Sequence, residues 1–315
     1  MVNVLIRNIK AILIAGRYEY ILADITPYLI AAFISLETLQ NLLNNLELFI
    51  LGLIVMFVAH FIGTHINTLS NYASDLIDKP RLSRSVDIIG ERNLLRMFLT
   101  ELILGTLLVF YLTLYLQRLI LLILWWIGCF FAIGYSIRPI RFKRQPFLGI
   151  ISRVIAIYVA PILFGWFLFR QTLSFHILLI ALGYAIAIGG MFPAGELKDY
   201  WGDLKHGDIT ASIALGPKKA TITSLILVPL GGIILILTFG WLALIRSPYP
   251  WFHIVFLSVA LLSPIKGLYK IYSISEKVLD LNYYKEVKKE AEKHLRWLAM
   301  FFTPAIDSFL LLIGW

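Results

Sequence analysis

Long apolar runs recur along the whole chain, and they constrain its fold more than any other feature. Each run is close to the ~20 residues that an α-helix needs to cross a bilayer. The hydrophobic share of 59% is also far above that of a soluble domain. We therefore predict an all-α integral membrane protein with nine transmembrane helices, at about residues 20–37, 47–68, 94–116, 118–137, 149–170, 173–194, 220–244, 250–270 and 294–314.

The distribution of Lys and Arg predicts how these helices are oriented. If the N-terminus is cytoplasmic, all but three of the 28 Lys and Arg residues fall on cytoplasmic segments or toward the cytoplasmic ends of the helices; the exceptions are Arg118, Arg170 and Arg246. Membrane proteins carry such an excess on their cytoplasmic loops. The prediction is a multi-pass protein with its N-terminus inside and its C-terminus outside. The same bias accounts for the net charge of +9, so we predict no nucleic-acid partner.

No linker or low-complexity segment divides the chain, so residues 1–315 are predicted to form a single membrane domain. Residues 1–19 are predicted to form an amphipathic helix at the membrane interface. The polar segment 271–293 is predicted to be a solvated cytoplasmic helix. The single cysteine, Cys129, falls within the fourth run and excludes a disulfide within one chain. Membrane lipids are the expected surroundings, and no obligate protein partner is indicated.

The second apolar run ends in a polar stretch, NTLSNYASDLIDKP, at 67–80. Its Asn and Asp residues follow at steps of four, four and three, which places them on one helical stripe: Asn67, Asn71, Asp75 and Asp78. A helix that merely ends at the membrane surface favours Lys, Arg, Trp or Tyr there. Stacked oxygen ligands instead suit a hard cation such as Mg²⁺. For a single stripe, polar decoration of a helix end is an equally good interpretation.

A second acidic stretch, GGMFPAGELKDYWGDLKHGDIT at 189–210, follows the sixth run. Here Asp199 and Asp203 are four residues apart, with Glu196 before them and Asp208 after them. Both stretches follow even-numbered helices, so the topology places them at the same membrane face. A pair of facing carboxylate stripes that share Mg²⁺ ions is what a diphosphate site requires. The two predicted acidic loops span 67–92 and 196–219.

Basic residues accompany both acidic stretches. Lys79 and Arg84 follow the second run, and Lys198 lies inside the second acidic stretch. After the fourth run, Tyr135 is followed by four basic residues: Arg138, Arg141, Lys143 and Arg144. Taken alone, each cluster is explained as an anchor on the cytoplasmic side. Beside two acidic stretches, Lys and Arg are also suited to contact phosphate oxygens.

A few ionisable residues fall inside the apolar runs. A carboxylate there is costly in lipid, so Asp24 is interpreted either as a residue facing a cavity or as an interfacial residue near the helix start. His60, His65 and Glu101 are interpreted as satisfied interface residues, because none belongs to a zinc pattern such as HExxH.

These residues together resemble the UbiA superfamily of intramembrane prenyltransferases, which carries aspartate-rich motifs after its second and sixth helices. The second motif of that family, DxxxD, is matched by Asp199 and Asp203. The first usually reads NxxxDxxxD; here it reads NxxxNxxxD from Asn67, or NxxxDxxD from Asn71. GYSIRPIRFK is similar to a family stretch after the fourth helix, and GRYEYILADITPYLIAAF to the first helix, where an Arg (Arg17) precedes the span. The resemblance covers nearly the whole chain.

The resemblance implies nine helices around a central cavity, with cytoplasmic cap loops that carry both motifs. It implies Mg²⁺-dependent transfer of an isoprenyl group from a polyprenyl diphosphate to an aromatic, quinone-precursor or other lipophilic acceptor. The expected catalytic residues are Asp75, Asp199, Asp203, Lys198, Arg141 and Lys143. The expected substrate-binding residues are Asn67, Asn71, Arg84, Tyr135, Arg138, Arg17 and Asp24. The expected metal ligands are Asn71, Asp75, Asp78, Asp199 and Asp203, where the choice among Asn67, Asn71 and Asp78 as partners of Asp75 stays open.

Two alternatives stand beside prenyl transfer. A terpene cyclase on the same scaffold would use the same metal chemistry, with a double bond of the substrate capturing the allylic cation. A secondary transporter would bind its solute through intramembrane charges near the midplane. The acidic residues of this chain cluster at one membrane face, which counts against transport.

Overall fold

The computed structural model describes residues 2–293 and 295–315, and over these residues the fold is helical without β-strands. Side chains are described except at 2–5, 74, 77, 78, 261, 262 and 295–299. The α-helices are α1 Val2–Ala15, α2 Ile21–Leu36, α3 Leu39–Asn44, α4 Leu46–Ser70, α5 Tyr72–Asp78, α6 Pro80–Ile89, α7 Glu91–Leu116, α8 Leu119–Ser136, α9 Pro146–Val154, α10 Ala160–Phe169, α11 Phe175–Gly195, α12 Tyr200–His206, α13 Ala211–Leu215, α14 Pro217–Arg246, α15 Pro250–Ile274, α16 Leu281–Ala291 and α17 Leu295–Leu312. A π-helix, Ile155–Val159, joins α9 to α10.

Eight helical segments of the described chain are long and apolar enough to cross a membrane. They are Tyr18–Leu36, Leu46–Ser70, Glu91–Leu116, Leu119–Ser136, Pro146–Phe169, Phe175–His206, Pro217–Arg246 and Pro250–Leu279. The predicted all-α membrane fold is confirmed. The ninth predicted span starts at residue 294, which lies outside the described residues, and continues into α17, where Met300–Leu312 is apolar but shorter. The number nine therefore stays a prediction.

Helix α2 lies between two apolar clusters of the bundle. Ile30 and Ile34 pack into a cluster with helices α11 and α14, whereas Tyr28 and Ala32 pack into one with α4 and α8. Because residues three and four apart share a helix face, this division gives α2 two buried faces. The first span is therefore a central helix of the fold, with one apolar cluster on each side of it.

The polar stretch after the second span does not form one continuous helix. Helix α4 ends at Ser70, and the backbone leaves helical geometry at Asn71 (φ −102°, ψ 7°) before α5 begins. The Asn71 amide donates to the carbonyl oxygen of Asn67 at 2.9 Å, a local side-chain-to-backbone bond of the kind that competes with a helix. The stripe predicted from steps of three and four is thus bent at its second member.

The polar segment 271–293 is helical, but one face of it is packed rather than solvated. A 3₁₀ turn, Ser275–Leu279, precedes α16, and the Trp201 indole donates to the carbonyl oxygen of Val278 at 2.8 Å. The hydroxyl of Tyr284 donates to the carbonyl oxygen of Lys198. The segment therefore covers the second acidic loop and helps to hold it in place.

Candidate functional site

The loops that follow α4, α8 and α11 meet at one end of the bundle. Helix α5, in the first acidic loop, packs against α12, in the second. Lys143, in the loop after α8, lies between the two: its ammonium is 3.0 Å from Asp203 Oδ1 and 3.0 Å from Asp208 Oδ2. Burial alone lowers the pKa of Lys143, but the carboxylates of Asp203 and Asp208 outweigh that effect and raise it above its ordinary value. Lys143 is therefore held as a cation.

Asp208 is the most heavily paired carboxylate of this end. Its side chain is 1% exposed, and Arg141 Nη2 and Arg144 Nε each lie 3.2 Å from one of its oxygens. Burial alone raises the pKa of Asp208, but the positive charges of Lys143, Arg141 and Arg144 outweigh that effect. The pKa of Asp208 is therefore below its ordinary value. Asp208 is not among the site residues predicted from the sequence. Its signal was present in the sequence, since it lies in the same acidic stretch as Asp203.

The two asparagines of the first motif bind arginines. Arg17 Nη2 donates to Asn67 Oδ1 at 3.1 Å, and Arg141 Nη2 donates to Asn71 Oδ1 at 3.3 Å. The Asn67 amide in turn donates to Ser136 Oγ at 3.1 Å. Both amide oxygens therefore accept from guanidinium groups, which brings Arg17 and Arg141 beside the motif from different parts of the chain.

Asp75 is buried, with 4% of its surface exposed, and its Oδ2 has no hydrogen-bond partner among the described residues. Burial raises its pKa, against the opposing effects of Lys79, Arg17 and Lys143. A buried carboxylate oxygen without a partner is costly. This atom is therefore suited to a ligand that supplies positive charge.

The second acidic loop brings Asp199 to the same place. Its Oδ1 lies 3.8 Å from the ammonium of Lys79, and Asp75 and Asp199 interact electrostatically. Lys198 interacts electrostatically with Asp199 and with Lys79. Residues of both acidic loops therefore face one another with lysines between them.

Arg153, inside the fifth span, is a further residue of this site that was not predicted from the sequence. Its Nη2 donates to Glu196 Oε1, and its guanidinium lies 3.9 Å from the Phe192 ring centroid and 5.5 Å from that of Tyr135. Glu196 Oε2 accepts from the backbone amide of Ala211 at 3.0 Å. An Arg inside an apolar run was the available signal.

Other expected residues lie outside this network. Arg84 and Arg138 are exposed, on α6 and in the loop after α8 respectively. The side chain of Asp78 lies outside the described ones.

Two histidines of helix α4, below the first motif, each pair with a carboxylate from another helix. Asp24 Oδ2 is 2.7 Å from His60 Nδ1, and Glu101 Oε2 is 2.9 Å from His65 Nδ1. Both histidine side chains are fully buried, and the Asp24 and Glu101 side chains are about a fifth exposed, at 22% and 20%. His60 has a partner at each ring nitrogen, as expected, whereas the buried Nε2 of His65 has no hydrogen-bond partner among the described residues.

Carboxylate oxygens from the two acidic loops are the donors that Mg²⁺ prefers. Among the described side chains, no three His, Cys, Asp or Glu residues are grouped closely enough to enclose a metal ion. Mg²⁺ bound with a diphosphate needs only one or two carboxylates, because water and phosphate oxygens complete its coordination. The unpaired Oδ2 of Asp75 and the facing carboxylate of Asp199 fit this requirement.

A small apolar pocket lies between α4, α8 and the fifth span. Small residues form much of its wall: Ala59, Gly128, Ala132, Ala156 and Ala160. Ile62, which also lines it, precedes Asn67 by five residues on α4, so the pocket begins about 8 Å below the first motif. A hydrocarbon chain is suited to such a wall, and a charged group is not.

Solved structures of similar fold span nearly the whole chain. A digeranylgeranylglyceryl phosphate synthase is 18% identical, with a TM-score of 0.68 over 96% of this chain and 99% of that one. A UbiA homologue from Archaeoglobus fulgidus bound to GPP and Mg²⁺ is 17% identical, with a TM-score of 0.63 over 95% and 99%. The same homologue bound to Cd²⁺ is 16% identical, with a TM-score of 0.64 over 96% and 99%. At these identities the likeness shows a shared fold.

A comparison with curated protein sequences gave no match. The model of the UbiA prenyltransferase family matches residues 25–277, which is well over half of the chain and includes both acidic loops. The chain therefore belongs to the UbiA prenyltransferase family and is an intramembrane prenyltransferase.

Proposed function

We propose that the protein transfers an isoprenyl group from a polyprenyl diphosphate to a lipophilic acceptor, such as an aromatic compound or a quinone precursor, in a Mg²⁺-dependent reaction. The observation that carries this proposal is the packing of the two acidic loops against each other, with the Lys143 ammonium 3.0 Å from Asp203. Facing carboxylates and interleaved cations suit a metal–diphosphate head group. Solved relatives of the same fold bound to GPP or DMAPP with Mg²⁺ support the choice of ligand.

Asp75 and Asp199, with Asp203, would hold the metal, and it would neutralise the diphosphate and stabilise negative charge on the leaving group. Asn71 and Asp78 are the further candidate ligands carried over from the sequence. The described amide oxygen of Asn71 accepts from Arg141 at 3.3 Å, so its part would be to position that arginine.

The basic residues of the site would bind the phosphate oxygens. Lys143 and Arg141 lie between the acidic loops, and the buried Nε of Arg17 has no hydrogen-bond partner among the described residues. A guanidinium offers two parallel donors to a phosphate group, and an ammonium offers a compact charge. As the allylic C–O bond breaks, electrons move to the diphosphate, and these cations stabilise the growing charge.

The isoprenyl tail would lie in the apolar space below the head group. The pocket between α4, α8 and the fifth span begins below Asn67 and has an apolar wall. A water-free wall of this kind protects an allylic cation from hydrolysis. The Tyr135 ring, next to the Arg153 guanidinium, marks the boundary between the charged end and the apolar space.

The test is an assay of purified protein with Mg²⁺ and prenyl diphosphates of different chain length, with and without lipid-extracted acceptors. We expect diphosphate release that depends on Mg²⁺ and transfer that depends on the acceptor. Prenyl hydrocarbon products formed equally well without any acceptor would instead identify a cyclase. Asp75→Asn and Asp199→Asn should each lower turnover at least about 10²-fold.

The matched control is Glu276→Gln, since Glu276 is exposed and pairs only loosely with Lys218, at 3.5 Å. It should leave turnover unchanged. Near-normal turnover in either aspartate variant would overturn the assignment of the metal ligands. Absence of diphosphate release from every substrate would overturn the proposed reaction.

A further inference from the structure

The Asp24–His60 pair lies just below the proposed diphosphate site. Along the first span, Arg17 contacts Asn67 of the first motif, and Tyr20 interacts electrostatically with Asp199 of the second. Asp24 follows Tyr20 by four residues, so it shares that helix face and lies about 6 Å deeper. A carboxylate at this depth therefore lies within about one helical turn of the residues that contact both acidic loops.

Asp24 also faces the fifth span at its one irregular turn. The π-helix Ile155–Val159 packs against α2, and its Tyr158 interacts electrostatically with Asp24. Single π-turns inside α-helices are frequent at functional sites. Asp24 therefore lies between the acidic loops and the π-helix of the fifth span.

The hydrogen bonds of His60 fix where its protons are. His60 Nε2 lies 2.8 Å from the carbonyl oxygen of Gly16, and a carbonyl only accepts, so Nε2 carries a proton. His60 Nδ1 lies 2.7 Å from Asp24 Oδ2, and that contact requires a second proton between the two atoms. With this proton on Nδ1, the pair is an imidazolium bound to a carboxylate.

One oxygen of Asp24 is left for a ligand. Oδ2 is taken by His60, whereas Oδ1 has no hydrogen-bond partner within the described part of the chain. The Asp24 side chain is 22% exposed and that of His60 is fully buried. His60 therefore holds one carboxylate oxygen from the buried side, and the second oxygen belongs to a partly exposed side chain.

We propose that Asp24, held by His60, is the general base that binds and deprotonates a hydroxyl group of the acceptor, so that the acceptor is an alcohol or a phenol. This inference rests on the proposed prenyl transfer. The acceptor O–H proton moves to Asp24 Oδ1, and the acceptor oxygen forms a C–O bond to the allylic carbon. The C–O bond to the diphosphate breaks, and its electron pair leaves with the diphosphate. The pair is then positively charged beside a newly released anion, which stabilises that state.

The test compares Asp24→Asn with the parent enzyme, using geranyl diphosphate, Mg²⁺ and a series of lipophilic phenols of decreasing pKa. The asparagine is isosteric and its amide can donate to a neutral His60, so the hydrogen bond to that residue is retained. Transfer to weakly acidic phenols should fall at least about 10²-fold. Mg²⁺-dependent binding of geranyl diphosphate, measured by thermal shift, should remain.

The diagnostic result is rescue by an acidic phenol. A phenol that is already ionised at the assay pH needs no base, so Asp24→Asn should transfer to it at close to the parental rate. A uniform loss over the whole series would mean that Asp24 has a structural role only, and would overturn the inference. Parental transfer to the methyl ether of the same phenol would also overturn it, because that compound has no hydroxyl proton.

The second pair on α4 provides a matched control. His65–Glu101 is also a carboxylate–imidazole pair, but it connects α4 to α7, and His65 is five residues after His60, on another face of the helix. Glu101→Gln should leave transfer to every phenol within about twofold of the parent. If the parent releases diphosphate with Mg²⁺ but transfers to no hydroxyl acceptor, this inference fails and prenyl diphosphate ionisation stands. If the parent neither binds nor ionises geranyl diphosphate, the proposed function itself fails.

Discussion

The ammonium of Lys143 lies 3.0 Å from a carboxylate oxygen of Asp203. Lys143 comes from the loop after α8 and Asp203 from helix α12, so the contact joins two separate parts of the chain. In the arrangement described, the lysine neutralises a carboxylate that is proposed to bind Mg²⁺. If a metal–diphosphate binds there as proposed, the same ammonium would be placed to turn from the carboxylate to the phosphate oxygens.

This arrangement predicts opposite effects of Lys143→Gln on metal binding and on turnover. A cation next to Asp203 repels Mg²⁺, so its removal should raise the apparent Mg²⁺ affinity measured with a prenyl diphosphate present. The leaving group would lose a cationic partner, so kcat should fall about 10²–10³-fold. Lys289→Gln is the control, because Lys289 is an exposed lysine of helix α16. A fall in Mg²⁺ affinity together with an unchanged kcat would contradict this role.

A second prediction concerns Asp208, whose buried carboxylate contacts three basic residues, with Lys143 Nζ at 3.0 Å. Asp208→Asn leaves these cations without their counter-charge. Removal of one partner of a buried ion pair costs about 3–5 kcal/mol, so the variant should unfold at a clearly lower temperature in detergent. The exposed pair Lys218–Glu276, at 3.5 Å, is the comparison, and Glu276→Gln should cost at most about 1 kcal/mol. Equal unfolding temperatures for the two variants would show that Asp208 does not organise the loops.

The raised pKa of Asp75 predicts a pH dependence of metal binding. Burial raises this pKa, and a carboxylate must lose its proton before it ligates Mg²⁺. As the pH falls, protonation therefore competes with the metal at a higher pH than for an ordinary Asp, whose pKa is about 3.9. Below the raised pKa the apparent Mg²⁺ affinity should fall by up to about tenfold per pH unit.

Titration of Mg²⁺ binding between neutral pH and pH about 4, with the parent and Asp75→Asn, checks this dependence. The variant should bind Mg²⁺ more weakly at neutral pH and should show a smaller pH dependence. A parent protein whose Mg²⁺ affinity is constant down to the ordinary Asp pKa would contradict the proposed role of Asp75.

The sequence predicted those parts of the structure that depend on local pattern. Apolar runs located the first eight spans, and the order of even-numbered helices placed Asp75 and Asp199 at one end of the bundle. The bend at Asn71 was not predicted, because steps of three and four describe a continuous helix equally well. At this position the Asn71 side chain donates to the Asn67 carbonyl oxygen.

The partners of the charged residues could not be predicted, because they come from distant parts of the chain. Arg141 and Asp208 are 67 residues apart, and Arg153 and Glu196 are 43 apart. His60 was expected to have hydrogen-bond partners, and both of its ring nitrogens have one. The sequence did not indicate that one of these partners is Asp24, on which the proposed function of the pair depends. Hydropathy indicates that a buried charge needs a partner; only the packing of the helices determines which one.

The packing of α11 against α14 predicts opposite effects of two Gly→Ala substitutions. A Cβ at Gly231 would overlap the backbone nitrogen of Ala187 and lie 2.6 Å from the carbonyl oxygen of Gly183, whereas a Cβ at Gly63 would meet nothing closer than Ala132 Cβ at 3.9 Å. Both glycines lie inside helices, where alanine is intrinsically better by about 0.5–1 kcal/mol. At Gly231 overpacking against backbone should cost at least about 1–3 kcal/mol, so Gly231→Ala should lower the unfolding temperature in detergent and Gly63→Ala should raise it slightly. A Gly231→Ala protein as stable as Gly63→Ala would mean that the two helices do not approach as closely as described.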